Sequence, residues 1–137
     1  MTDVVLIDTD VASFLFKKAP RADAFRALLG DRSLALAFVS VAELFKWTVK
    51  RKWSPAKVAQ LEAALRRFVV IPYDRDLAWM WARTTAQCED AGRPISSSDA
   101  WIAAVALRYD LPLATNNLKH FEPIEALCGL KLLRPSS

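Results

Sequence analysis

The feature that most constrains the fold is a series of short apolar runs separated by segments of helical periodicity. The first run, Val4–Ile7, is continuously apolar and stops at Asp8, which is typical of a strand buried on both faces. Further strand candidates lie at residues 34–39, 68–71, 112–115 and, at a sheet edge, 130–133. Strands that alternate with helices predict an α/β fold, a three-layer α/β/α arrangement with a mostly parallel central sheet of four to five strands.

Capping residues indicate where the helices begin. Asp10 is a candidate N-cap for the first helix, which Pro20 interrupts, and Ser54-Pro55 is a favourable opening for a later one. Ser40 is expected to open another helix, and Ser40-Val41-Ala42-Glu43 matches a capping box. Further helices are predicted at 22–29, 76–91 and 100–109, with a short helical turn after Asn117.

Length and composition indicate one domain, covering residues 1–137. The chain is 53% hydrophobic and 25% charged and has three glycines, which argues against disorder. Asp3 and Asp8 interrupt the early apolar run, and no apolar stretch reaches the ~20 residues of a spanning helix. Cys88 and Cys128 lack metal-site spacing. We therefore expect a cytoplasmic protein without a membrane segment.

Positive charge is concentrated in the middle of the chain. Between residues 46 and 75 there are eight basic residues and two acidic ones, against a net charge of +4 for the whole chain. Such a segment attracts a polyanion, because phosphate neutralisation is the main source of nucleic-acid affinity. A solvated helical face would have the same composition, so the charge alone leaves both interpretations open.

Acidic and amide side chains stand where ligands bind in open α/β sheets, beyond the carboxyl ends of the strands. Asp8 follows the first predicted strand and Asn117 the fourth, Glu43 lies in the helix after the second, and Asp99 begins a strongly apolar helix. Oxygen ligands of this kind suit Mg²⁺ or Mn²⁺ better than zinc. The spacing therefore predicts a site for a hard divalent cation.

Each of these residues also has a purely structural interpretation. Asp8 is compatible with a turn, Glu43 with the capping box, Asp99 with a helix dipole and Asn117 with a left-handed turn. The five tryptophans fit the core better than base stacking. A lone histidine, His120, is more often a bystander than a catalyst.

Four motifs in order resemble the PIN-domain family, and in particular its VapC-like toxins. The matching stretches are Leu6-Ile7-Asp8-Thr9-Asp10-Val11, Ser40-Val41-Ala42-Glu43-Leu44, Ser97-Ser98-Asp99-Ala100-Trp101-Ile102-Ala103-Ala104, and Ala114-Thr115-Asn116-Asn117 followed by Phe121. The resemblance implies Mg²⁺ or Mn²⁺ bound by Asp8, Glu43 and Asp99, with Asn117 fourth and with Thr9, Ser97 and Thr115 in support. Asp10 stands where relatives commonly carry Asn, and Asn117 replaces an acid found in some of them.

The resemblance also implies a function and partners. Family members hydrolyse RNA phosphodiesters with the help of the metal, leaving 5′-phosphate and 3′-hydroxyl ends. The basic residues expected to hold the RNA backbone are Lys46, Lys50, Arg51 and Lys52. A homodimer and a VapB-like antitoxin are implied as partners, and the antitoxin tail is expected to cover a groove beside the carboxylates. Candidate contacts for that tail are Phe45, Trp47 and Trp53.

Two alternatives remain open on sequence grounds. Asp8-Thr9-Asp10-Val11 also fits the nucleophile loop of a haloacid-dehalogenase phosphotransferase, although the late acidic pair of that class is missing. A PIN-like module that binds RNA or protein without cutting is the other alternative, since capping and turn roles explain each acid separately. Cleavage of RNA that depends on Asp99 distinguishes the nuclease from both.

Overall fold

The computed structural model describes residues 3–134. In this range the elements follow one another as β1 (Val4–Ile7), α1 (Thr9–Lys17), α2 (Pro20–Leu29), β2 (Ser33–Ala37), α3 (Phe38–Lys50), α4 (Pro55–Leu65), β3 (Val69–Ile71), α5 (Arg75–Asp90), α6 (Ser97–Tyr109), β4 (Leu113–Ala114) and α7 (Leu118–Cys128). None of the helices described is both long and apolar enough to cross a bilayer.

The four strands form one parallel sheet in the order β3-β2-β1-β4. The chain builds outward from β1 to β2 and β3, then returns to place β4 on the other side of β1. The strand order therefore reverses between β1 and β4, which is where open α/β sheets bind their ligands. The predicted α/β class and parallel sheet are confirmed.

The predicted fifth strand at 130–133 is wrong as an extended strand. Leu132 forms a single isolated bridge with Leu113, supported by backbone bonds from Leu113 N to Lys131 O and from Leu133 N to Leu113 O. The physical reason is that β4 is only two residues long and gives the tail little ladder to pair with.

Both faces of the sheet are buried, which explains why the strands are apolar without alternation. Val5, Ile7 and Leu36 face a core closed by α1, α2, α3 and α4. Leu6 and Ala35 face the opposite core, which α5, α6 and α7 close. Successive strand residues thus point to opposite layers, and the three-layer arrangement follows.

Two helices begin earlier than the capping residues predicted. Asp8, not Asp10, caps α1. Helix α3 begins at Phe38 rather than Ser40, with Ala37 as its N-cap residue. The sequence predicts a strand over the whole apolar run 34–39, but β2 ends at Ala37 and Phe38 belongs to the helix. The Phe38 ring packs against Trp101 of α6, with ring centroids 5.4 Å apart. Ser54 caps α4 as predicted.

Aromatic side chains mostly serve packing, as the sequence indicated. Trp81 stacks on Trp101 with ring centroids 5.2 Å apart, while Trp47 and Trp53 are half-buried against the core under α1–α4. Trp79 is the exception, being 58% exposed. Cys88 is buried in the core, in keeping with its expected role as a small hydrophobe.

Candidate metal centre

Asp8 is fixed at the point where the strand order reverses. It follows β1 and caps α1, so that its Oδ1 accepts a hydrogen bond from the backbone N–H of Val11 at 2.9 Å. Its Oδ2 accepts a hydrogen bond from the hydroxyl of Thr115, the residue after β4. The side chain is buried, at 4% exposure. The carboxylate is therefore held from both strands, and the predicted supporting role of Thr115 has a structural basis.

Glu43 reaches the same region from α3. The Thr9 hydroxyl donates to Glu43 Oε1 at 2.7 Å and lies 2.9 Å from Ser40 Oγ. Because a hydroxyl carries one proton, Ser40 is the donor in the second contact. The capping-box interpretation of Glu43 is wrong, since Ser40 lies inside the helix and the glutamate bonds to Thr9 instead. Thr9 thus supports Glu43 while standing next to Asp8.

Asp99 lies in the first turn of α6. Ser96 is the N-cap, and its Oγ accepts a hydrogen bond from the Asp99 backbone N–H at 3.1 Å. Ser97, predicted as the supporting serine, is exposed, and Ser96 makes the contact with Asp99 instead. The cap position decides this, because only a hydroxyl one residue before the helix reaches the third amide.

Two polar residues follow β4 on the same edge. Asn117 donates its backbone N–H to Thr115 Oγ1 and its side-chain Nδ2 to Asp10 Oδ2, both at 2.9 Å. Its φ of −118° rules out the left-handed turn considered from sequence.

His120 Nδ1 lies 3.6 Å from Asp99 Oδ2. The sequence analysis treats His120 as a bystander. Its position one helical turn after Asn117 is the signal that could have placed it near the site.

The carboxylates influence one another electrostatically. The pKa of Asp8 is raised to about 6, mainly by burial and to a smaller extent by the charges of Asp10 and Asp99, although the hydrogen bonds from Thr115 and Val11 lower it. Burial also raises the pKa of Asp99, as do the charges of Glu43 and Asp10, while the bond with Ser96 and the nearby His120 lower it. The charges of these acids thus influence one another across this edge of the sheet.

The donor chemistry fits a hard divalent cation, although the side chains are not gathered around one point. Across residues 3–134, no three His, Cys, Asp or Glu side chains are close enough together to enclose an ion by themselves. Like charges repel, and Mg²⁺ keeps several waters and takes only one or two carboxylates in most protein sites. Oxygen ligands without thiols or a histidine pair favour Mg²⁺ or Mn²⁺ over zinc.

The predicted RNA-binding residues lie on the surface next to this edge. Lys46 and Lys50 are exposed on α3, and Arg51 and Lys52 follow directly after it. At 1.5 Å per residue, Lys50 lies about 10 Å beyond Glu43 along the helix axis. Burial lowers the pKa of Lys17, and the charges of Arg51 and Lys57 lower it further. A positive surface therefore extends away from the carboxylates.

Comparison with known proteins identifies the fold family. The PIN domain model matches residues 5–125. Ribonuclease VapC1 of Haemophilus influenzae is 28% identical over 126 residues, covering 90% of this chain and 94% of that protein. The tRNA(fMet)-specific endonuclease VapC of Shigella flexneri is 27% identical over 122 residues, covering 89% and 92%.

A solved structure agrees with these relatives. VapBC-1 from nontypeable Haemophilus influenzae superposes with a TM-score of 0.78 at 26% identity, covering 94% of this chain and 96% of that one. The resemblance read from the four motifs is confirmed, and the haloacid-dehalogenase alternative finds no support. Because the family model spans most of the sequence and the parallel sheet carries its acids at the expected edge, the chain belongs to the PIN-domain family.

Proposed function

We propose that this protein is a Mg²⁺- or Mn²⁺-dependent endoribonuclease and the toxin of a VapBC-like toxin–antitoxin pair. The observation that carries the proposal is the fixed placement of two acids at the sheet edge where the strand order reverses: Thr115 and the Val11 N–H hold the buried Asp8, and Thr9, the next residue, holds Glu43. The charge of Asp99, on α6, also acts on Asp8. A buried carboxylate such as Asp8, with other negative charges nearby, is costly unless a cation compensates it. The names of the VapC relatives support the ribonuclease assignment.

The chain's own residues would hold and orient the reacting groups. A divalent cation, when bound, supplies Lewis-acid activation of a scissile phosphate and of the attacking water. Asp8 is held rigidly by Val11 and Thr115, and Glu43 by Thr9, so neither carboxylate needs to reorganise on binding. Asn117 was predicted as a fourth ligand. The products expected are a 5′-phosphate and a 3′-hydroxyl.

The basic surface would bind the RNA backbone beside this site. Lys46, Lys50, Arg51 and Lys52 extend from the carboxylates along and beyond α3. Contacts of lysine and arginine with phosphates give affinity and register but little base selectivity. Sequence choice would therefore come from other contacts.

Cleavage of RNA that depends on Asp99 tests the proposal. Purified, antitoxin-free protein is incubated with total RNA and Mg²⁺, and wild type is compared with Asp99→Asn. We expect a loss of activity of a hundredfold or more.

Asp110→Asn is a matched control, because Asp110 is exposed at the other end of α6 and Asn tolerates its left-handed backbone (φ 54°). Equal cleavage by wild type and Asp99→Asn would remove Asp99 from the mechanism. Binding of RNA with no cleavage by any variant would favour the non-cutting module.

The proposal includes a VapB-like antitoxin and a homodimer as partners. The sequence predicts a groove beside the carboxylates for the antitoxin. A groove of about 750 Å³ lies instead where α1, α4 and the starts of β2 and β3 meet, at the opposite edge of the parallel sheet from Asp8. Its lining includes the apolar residues Phe16 and Phe68 and the cations Lys18, Arg26, Arg32 and Arg67. That lining complements an apolar segment with acidic residues. Of the antitoxin contacts predicted from sequence, Phe45 is exposed, while Trp47 and Trp53 are half-buried.

A charge-reversal variant tests this groove. Arg32→Glu/Arg67→Glu is expected to weaken antitoxin binding at least tenfold in calorimetric titration, while cleavage by the free toxin remains. Unchanged affinity would place the antitoxin elsewhere. Light scattering of the free toxin decides between a monomer and the proposed dimer.

A further inference from the structure

We infer that a pocket between α2 and the segment after β4 binds one base of the substrate RNA, with a preference for guanine. This inference rests on the proposed function and adds base selectivity to it. The lysine and arginine contacts with phosphates proposed above supply little selectivity of their own.

The pocket is small and its walls are largely apolar. Its volume is about 190 Å³, and its apolar lining includes Phe25 of α2, Leu118 of α7 and Leu133 of the tail. Pockets that hold drug-sized ligands measure roughly 300–1,000 Å³. The pocket therefore suits a single planar ring system, whose faces are apolar, better than a longer part of a ligand.

The polar pair Arg21 and Asn116 gives the pocket hydrogen-bond donors. Arg21 donates its Nε–H to Oδ1 of Asn116. This bond leaves the two Nη groups of Arg21 and the Nδ2 group of Asn116 as donors, and within residues 3–134 these groups make no other hydrogen bond or ion pair. None of the lining residues that the structure describes is acidic. The pocket is therefore complementary to a ligand edge that carries acceptors.

Guanine fits this arrangement of donors better than the other bases. Its N7 and O6 are two adjacent acceptors, and arginine commonly binds both of them at once. Adenine presents an acceptor beside a donor, cytosine presents a donor amine, and uracil, like thymine, presents O4 alone. Single-stranded RNA makes such an edge available, because its unstacked bases can enter a protein pocket.

The pocket adjoins the proposed cleavage site through Thr115. This residue forms part of the pocket lining and donates its hydroxyl to Asp8. In the strand order β3-β2-β1-β4, the basic helix α3 follows β2, Asp8 follows β1, and the pocket lies beside the end of β4. One RNA strand can therefore contact the basic surface with its phosphates, pass the carboxylates and place a base in the pocket.

Oligonucleotide binding by the full-length, metal-free protein tests the assignment without cleavage. Fluorescence anisotropy in EDTA compares a labelled pentanucleotide that has guanosine between two pairs of adenosines with a pentanucleotide of adenosine alone. We expect wild type to bind the guanosine RNA at least fivefold more tightly, because adenosine lacks the second acceptor for Arg21.

A tryptophan at position 24 fills the pocket from α2 and leaves every acid of the site unchanged. We expect Ala24→Trp to bind the two RNAs equally and to keep its affinity for the adenosine RNA within about twofold of wild type. Ala27→Trp is the matched control, because Ala27 is exposed on the same helix and does not line the pocket. It should keep the guanosine preference.

The substitution Arg21→Ala removes the donors with a smaller change in volume. We expect it to reduce the guanosine preference to less than about twofold. Arg83→Ala removes the same charge from an exposed position on α5, and it should leave the preference as in wild type. Circular dichroism and thermal unfolding establish that each variant is folded.

The outcomes distinguish this inference from the proposed function. Equal affinity of wild type for the two RNAs, or no binding of either, overturns the inference. A guanosine preference that folded Ala24→Trp retains also overturns it and would assign the pocket to an apolar side chain of another partner. These results leave the nuclease proposal standing, since that proposal depends on cleavage and its loss in Asp99→Asn. A guanosine preference in a protein that cuts no RNA would keep the base pocket and overturn the nuclease proposal.

Discussion

Thr115 donates its hydroxyl to Asp8 across 107 positions of sequence. The bond joins the residue after β4 to the residue after β1, two strands that are neighbours only because the sheet order reverses there. It stabilises the charged form of a buried carboxylate, and it lowers the pKa that burial raises. The preparation of Asp8 for a cation therefore depends on a contact that only the tertiary fold creates.

Removal of the Thr115 hydroxyl is expected to shift metal binding to higher pH. Without this bond the pKa of Asp8 rises, by about one unit if the bond has the strength usual for a charged acceptor. Metal ligands must be deprotonated, so the pH midpoint of Mn²⁺ binding by Thr115→Val should move up by about the same amount. Calorimetric titrations between pH 5 and 8 measure it. Thr84→Val, a change at a buried threonine of α5, should leave the midpoint where it is.

The metal-free protein should lose stability as the pH rises from about 4 to about 6. The pKa of Asp8 is 3.8 in the unfolded reference and about 6 in the fold, so in this interval the folded state keeps a proton that the unfolded state has released. The free energy of unfolding therefore falls with pH, by on the order of 3 kcal/mol for this group. The raised pKa of Asp99 acts in the same direction.

Urea unfolding in EDTA across this pH range measures the effect. Asp8→Asn should flatten the fall, because the variant has no proton to release at that position. Added Mn²⁺ should restore stability above pH 6 in wild type but much less in Asp8→Asn. A wild-type stability that rises between pH 4 and 6 by as much as that of the variant would contradict the prediction.

Ser96 and Ser97 offer a matched test of the cap at Asp99. Ser96 accepts the Asp99 backbone N–H, and loss of such a cap costs about 1 kcal/mol. Ser96→Ala should lower the free energy of unfolding by that amount and raise the pKa of Asp99, since the Ser96 bond lowers it. Ser97→Ala should change stability by less than about 0.5 kcal/mol. Equal effects of the two substitutions would contradict this account of the cap.

The basic surface should show itself in the salt dependence of RNA binding. Each phosphate contact on a single strand contributes about −0.7 to the slope of log K against log salt. Lys50→Ala/Arg51→Ala should therefore weaken binding and reduce the slope by about 1.4, with little change in cleavage rate at saturating RNA. Arg83→Ala/Arg93→Ala removes the same charge from an exposed surface outside the 46–75 segment. A similar slope in both double variants would show that the effect is one of net charge alone.

Several local features could be predicted because they depend on neighbouring residues. The run Val4–Ile7 and its end at Asp8 mark a buried strand, and Ser54-Pro55 marks the start of α4. Burial on both faces forces strands to be apolar throughout, and a cap side chain bonds an amide three positions along. Such rules act within a few residues, so these strands and helix starts can be predicted from the local sequence. The order of the motifs also indicated the PIN-domain family.

The partners of the site residues were decided by the tertiary structure. Glu43 bonds Thr9 and not the start of its own helix, because β2 ends at Ala37 and α3 begins two residues before Ser40. The partnership of Asp10 with Asn117 crosses 107 positions of sequence, and it arises only from the pairing of β4 with β1. Strand order and register fix which polar side chains meet at the sheet edge, and neither is a property of any local stretch of sequence.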